Sequence, residues 1–142
     1  MKMKKKTSEL LEELKDCEQF EKYYHDNETE LLSAQLSKSL NDIITKNGLV
    51  KSEIIKRSEL SEAYVHQIFA GRRHPERDKL ICIAKGMDLD LDTIHELFKQ
   101  CGYAQLYARD KRDSVIIYSI THKLTVAETN GLLTRYGFEN LR

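Results

Sequence analysis

Apolar residues along the chain recur at helical rather than strand spacing. Leu31, Leu32, Leu36, Leu40, Ile43 and Ile44 follow one another at three- and four-residue steps, the stripe of an amphipathic helix. Asn47-Gly48 ends that stripe with residues that tolerate a left-handed cap. Upstream, residues 7–24 predict one or two short helices with an acidic face, broken at His25-Asp26-Asn27-Glu28. Downstream, two short helices are predicted over 52–57 and 61–70, then a loop, Gly71-Arg72-Arg73-His74-Pro75, then a helix over 76–85. Asp90 is a suitable N-cap for a helix over 91–100, which Gly102 stops. A further helix is expected over 113–121. Thr125 with Glu128 three residues on is a capping box that opens the last helix, closed by Gly137. The run Val115-Ile116-Ile117-Tyr118 has strand propensity, but its neighbours supply no partner strand.

The fold class that follows is all-α. The single proline and six glycines of the 142 residues leave long uninterrupted stretches rich in Leu, Ile, Glu and Lys. Three regions are expected: an acidic N-terminal helical extension over 1–30, a compact helical domain over 31–103, and a C-terminal helical hairpin over 104–142. An internal repeat with an offset of 35 joins the last two. Arg77-Asp78-Lys79-Leu80-Ile81 aligns with Arg112-Asp113-Ser114-Val115-Ile116, Leu89-Asp90 with Leu124-Thr125, and Gly102-Tyr103 with Gly137-Phe138.

Charge and cysteine content narrow the classes of function. No apolar run approaches the roughly 20 residues that span a membrane. The Lys-rich start is followed by Thr7-Ser8-Glu9, not by the apolar core of a signal peptide. Cys17, Cys82 and Cys101 are odd in number and widely spaced, which suits a reducing cytoplasm and contains no metal-binding spacing. Asp88-x-Asp90-x-Asp92 lacks the glycine and the later glutamate of a calcium loop, so it is a helix cap with first-turn acids. The five histidines are scattered, and no phosphate loop or nucleophile triad is visible. No enzymatic activity, metal or cofactor is therefore expected. The net charge is zero, but unevenly spread. Residues 7–31 hold nine acids against two bases, whereas residues 51–79 hold seven bases against five acids.

Residues 51–70 have the pattern of a helix-turn-helix. Two short helices crossing through a tight turn need an apolar inward face on the first, here Ile54 and Ile55. They need an apolar plug in the turn, Leu60, an N-cap on the second helix, Ser61, and inward residues Val65, Ile68 and Phe69. Glu62, Ala63, Tyr64, His66 and Gln67 are left facing outward, where the early residues of such a helix reach base edges.

These residues resemble the phage repressor and Cro group, also called the xenobiotic-response-element family of bacterial regulators. The resemblance rests on Ser58-Glu59-Leu60-Ser61, on the run from Tyr64 to Pro75 with its Gly-Arg-Arg-His-Pro loop, and on Lys79-Leu80-Ile81-Cys82-Ile83-Ala84. It covers roughly residues 36–103. It implies a repressor-like bundle, with the extra N- and C-terminal helices outside it, that docks a recognition helix in the major groove of double-stranded DNA. By position it implies base reading at Glu62, Ala63, Tyr64 and Gln67 and phosphate contacts at Lys51, Ser61, Arg72, Arg73 and His74, with His66 at the side of the helix. Gln67 suits adenine N6 and N7, Glu62 cytosine N4 and Ala63 a thymine methyl. Two positions depart from the family pattern, which usually has Gly where Glu59 stands and Ala where Ile55 stands. A left-handed Glu59 would cost about 1–2 kcal/mol.

A cytoplasmic transcriptional regulator is thus one expectation. The alternative keeps the fold as a protein-interaction adaptor with weak or no DNA binding, motivated by the zero net charge, the acidic N-terminal region and Glu59. The apolar residues Ile116, Ile117, Ile120, Leu132, Leu133, Tyr136, Phe138 and Leu141 exceed what a minimal bundle needs. They fit an extension of the core or a homodimer face. A protein partner is expected at these helices or at the acidic N-terminal ones.

Overall fold

The computed structural model describes residues 5–27 and 32–142. The expected domain boundary at 30/31, Glu28 of the expected break, Leu31 and the side chain of Leu32 lie outside the described residues. Among those described there are nine helices and no strand. They are α1 (Thr7–Asp16), α2 (Phe20–Asp26), α3 (Leu32–Asn47), α4 (Lys51–Ser58), α5 (Glu62–Phe69), α6 (Arg77–Gly86), α7 (Leu91–Gln100), α8 (Lys111–Thr121) and α9 (Val126–Arg135). Two details differ from the sequence reading. His25 and Asp26 continue α2, and only Asn27 caps it. α8 opens two residues earlier than expected, because Asp110 supplies the N-cap oxygen that accepts the Asp113 N–H. Val115–Tyr118 is helical. Ile116 and Ile120 lie one turn apart and both bury, so tertiary packing overrides strand propensity.

One continuous core runs from Leu36 and Leu40 of α3 to Leu141 near the chain end. α6 is its axis, with Leu80 through Ala84 and Gly86 all buried, the mark of a helix surrounded by others. Against it lie Ile54 of α4, Val65, Ile68 and Phe69 of α5, and Ile94, Leu97 and Phe98 of α7. Ile116, Ile120, Val126 and Leu133 extend the same core, so α8 and α9 pack on the bundle.

Three helical hairpins, α4–α5, α6–α7 and α8–α9, share one turn. In each, a residue in the left-handed region is followed by Leu and then by the N-cap of the second helix. The turns are Glu59-Leu60-Ser61, Asp88-Leu89-Asp90 and Lys123-Leu124-Thr125. Glu59, Asp88 and Lys123 have φ of 59°, 55° and 54°, and no other described non-glycine residue has positive φ. The caps accept in the same way, Ser61 from Tyr64 N–H, Asp90 from Thr93 N–H and Thr125 from Glu128 N–H. Thr125 also completes the expected capping box. Two of the turn leucines, Leu89 and Leu124, fill the wrap-back position of a Schellman cap. Leu89 N–H donates to Ala84 O and Leu124 N–H to Ser119 O, whereas Leu60 N–H donates to Ser58 Oγ. Each second helix then stops on a left-handed glycine, Gly71, Gly102 or Gly137.

The two later hairpins match residue for residue at an offset of 35, and they grip each other. Arg77 forms a bidentate pair with Asp113, and Arg112 one with Asp78. Arg77 also donates to the carbonyls of Ala104 and Gln105, and Arg112 to those of Glu139 and Asn140. Leu106 N–H donates to His95 Nε2, and Leu141 N–H to Asn130 Oδ1. Asp88 pairs with its own counterpart Lys123 at 3.2 Å. Reciprocal pairs and a self-equivalent pair are what a local two-fold relation produces; a simple translation would not return them. A cleft of about 700 Å³ lies where the three turns converge, lined by Glu59, Asp88 and Lys123 and by Lys85.

Candidate nucleic-acid interface

The outward residues of α5 follow from its cap and its inward triad. Ser61 fixes the start, Val65, Ile68 and Phe69 face the core, and Glu62, Ala63, His66 and Gln67 are exposed. The far end is tied to α3. The Phe69 carbonyl accepts from Ser37 Oγ at 2.6 Å and from Asn41 Nδ2 at 2.9 Å. These two polar residues were missed in the sequence. Their only signal is that they lie next to the buried Leu36 and Leu40 on a helix otherwise read by its apolar stripe.

Past α5 the loop turns at Gly71 and exposes Arg72, Arg73 and His74, while Pro75 buries. Tyr103 holds it by donating its hydroxyl to Pro75 O at 2.6 Å. The His74 ring lies 5.6 Å from the Tyr103 ring. Arg73 folds back so that its guanidinium stands 4.8 Å from the Tyr64 ring centre and 3.4 Å from Gln67 Oε1. Lys79, also missed in the sequence, places its ammonium 4.9 Å from the same ring. Tyr64 is therefore half-buried, a platform for two cations as much as an outward residue. Burial pushes its phenol upward, and the nearby Arg73 charge only partly opposes this.

The structure brings Lys51, His66, Gln67 and Arg72 around one shallow depression of about 290 Å³, floored by Phe69 and Ala70. Lys51 begins α4 and lies 5.5 Å over the Phe69 ring. Val50, the N-cap before it, has no side-chain acceptor, so the first-turn N–H groups beside Lys51 lack a side-chain cap. Toward the start of α5, Glu62 lies 3.5 Å from His66 Nε2. Ala63 is exposed. Ser61 Oγ accepts the Tyr64 N–H, which leaves its own hydroxyl proton to donate elsewhere. The polar row on α5 thus has cations next to it, Lys51 and Arg72 around one depression and Arg73 against Tyr64.

Glu59 adopts the left-handed conformation that its place in the turn requires. Ile55 is partly buried against the core. All three cysteines are unbridged. Burial pushes the Cys82 thiol up to about 12 and the Cys101 thiol up to about 11, so both stay protonated and inert. Among the described residues no group of three or more His, Cys, Asp or Glu could hold a metal ion. None of the described helices is long and apolar enough to cross a membrane. No family model, no curated protein and no solved structure matches the chain.

Proposed function

We propose that the chain is a sequence-specific DNA-binding regulator whose α3–α7 bundle is a repressor-like helix-turn-helix domain, acting in the cytoplasm of a bacterium. The observation that carries this reading is the exposed row Glu62, Ala63, His66 and Gln67 on α5, with Lys51 and Arg72 beside His66 and Gln67 around one depression and Arg73 against Tyr64 and Gln67. The major groove is about 12 Å wide and admits an α-helix. With α5 in the groove, the flanking cations meet the phosphate walls, and these contacts set register without reading sequence. Lys51, Ser61, Arg72, Arg73 and His74 serve as anchors; Glu62, Ala63, Tyr64 and Gln67 face base edges. Gln67 needs both its carbonyl and its amide for adenine, so Arg73 releases Gln67 Oε1 and turns to a phosphate on docking. Regulation follows from operator occupancy, with no chemical step.

Selection of bound sites from a random duplex pool tests this reading. One enriched motif is expected. Gln67→Ala relaxes the preference at one position of it, and Arg73→Ala weakens all sites alike. A pool that enriches nothing, with no binding even at low salt, overturns it. A second reading, a protein-interaction adaptor on the same scaffold, is favoured by the open apolar surface of α8–α9.

A further inference from the structure

The α8–α9 hairpin has an open groove on the face where its counterpart is covered. The groove, about 600 Å³, is lined by Val115, Tyr118, Leu132, Tyr136 and Phe138, with Lys111 as its charged member. At the offset of 35, Val115, Tyr118, Leu132 and Tyr136 correspond to Leu80, Ile83, Leu97 and Cys101. Ile83 and Cys101 are 0% and 4% exposed, whereas Tyr118 and Tyr136 are 50% and 61% exposed. In the α6–α7 hairpin, α4 covers α6 and α3 covers α7. The contact of α4 with α6 is the most extensive between any two described helices. α4 passes so close to Gly86, one turn beyond Ile83, that a Cβ there would stand 2.6 Å from the Ile54 carbonyl oxygen. Thr121, the counterpart of Gly86, is exposed.

The chain contains a second helix built like α4. α1 opens Ser8-Glu9-Leu10-Leu11, and α4 opens Ser52-Glu53-Ile54-Ile55, an offset of 44. In α4 the apolar pair faces the core. In α1, Leu11 and Leu14 are 50% and 42% exposed, an apolar stripe without a partner. Among the other residues of α1, Glu9, Glu12, Glu13 and Asp16 outnumber Lys15; Glu13 pairs with Lys5 and Glu12 with Lys15, which leaves Glu9 and Asp16. The groove is rimmed by the opposite sign, Lys111 in its lining and Arg135 standing 5.9 Å from the Tyr136 ring centre.

We propose that α1 of a second copy of this chain occupies the α8–α9 groove, its acidic residues toward Lys111 and Arg135. The exchange is mutual, each copy inserting its α1 into the other, so two equal contacts close a two-fold dimer. This interaction stands independently of DNA binding.

The full-length chain at micromolar concentration, its mass measured by light scattering, tests the proposal. Two variants are compared with it, Leu11→Asp with Leu14→Asp in α1, and Tyr118→Asp with Tyr136→Asp in the groove. All four positions are exposed, so circular dichroism and melting temperature should confirm that both variants remain folded. The expected result is a dimer for the native chain and a monomer for each variant. A native chain that is monomeric overturns the proposal. So does a dimer that survives the α1 changes, including one broken only by the groove changes, which would mean a groove-to-groove contact.

Discussion

The α4–α5 and α8–α9 hairpins share a turn and differ in what they show to solvent. Glu59-Leu60-Ser61 and Lys123-Leu124-Thr125 have the same left-handed residue, the same leucine and the same capping hydrogen bond. Yet α5 presents Glu62, His66 and Gln67, the last two beside Lys51 and Arg72, whereas α8 and α9 present Tyr118 and Tyr136. The α6–α7 hairpin between them is covered on the face that α8–α9 leaves open. The turn is therefore a scaffold device, and each hairpin's use depends on the few residues outside it. The first suits a polyanion, and the third suits an apolar helix.

The comparison breaks most sharply at Gly86. Replacing it with Ala drives a methyl group into the α4 backbone and should cost about 1–3 kcal/mol, read as a lowered melting temperature. Thr121→Ala at the equivalent place on α8 should change stability by less than about 0.5 kcal/mol. Equal losses would mean that α8 is covered like α6.

Next comes the reciprocal grip. Burial pushes the Asp113 carboxyl up, but hydrogen bonds from Arg77 and from the Tyr107 N–H outweigh it, and the group lies below its ordinary value of 3.8. Its contribution is therefore present above that value and is lost as the pH falls through the lower, folded-state value. Asp113→Asn should cost about 1–3 kcal/mol at neutral pH, and denaturant unfolding should show the difference from the native chain shrinking below about pH 4. The exposed Asp88–Lys123 pair should contribute at most about 1 kcal/mol, checked by Lys123→Ala.

The smallest effect is expected at Glu59. A glycine there relieves left-handed strain of about 1–2 kcal/mol but frees the unfolded chain. Chemical denaturation of Glu59→Gly should show a gain of no more than about 1 kcal/mol. A loss would mean that the Glu59 side chain makes a stabilising contact.

Local signals were the legible part of the fold. Ser61, Asp90 and Thr125 mark helix starts because a cap is a bond between near neighbours, and Gly48, Gly71, Gly102 and Gly137 mark stops for the same reason. The start of α8 was misplaced because Asp110 and Asp113 are both competent caps, and only the folded chain chooses between them. The offset of 35 was visible as a helical hairpin used twice, but the grip between its copies was not: the Arg77–Asp113 and Arg112–Asp78 pairs join residues far apart in sequence. The outward positions of α5 follow from its period. What periodicity could not give is the loop folding back, which buries half of Tyr64 under Arg73 and Lys79 and occupies Gln67.

The proposed binding of duplex DNA by α5 and its neighbouring cations is tested most directly by its salt dependence. Fluorescence anisotropy with a labelled duplex should give an association constant that falls linearly on a log–log plot, by about 0.9 for each phosphate neutralised. Arg72→Ala and Arg73→Ala should each reduce that slope by about 1. A chain that binds no duplex at low salt, or binds it with a slope that neither substitution changes, would contradict the account.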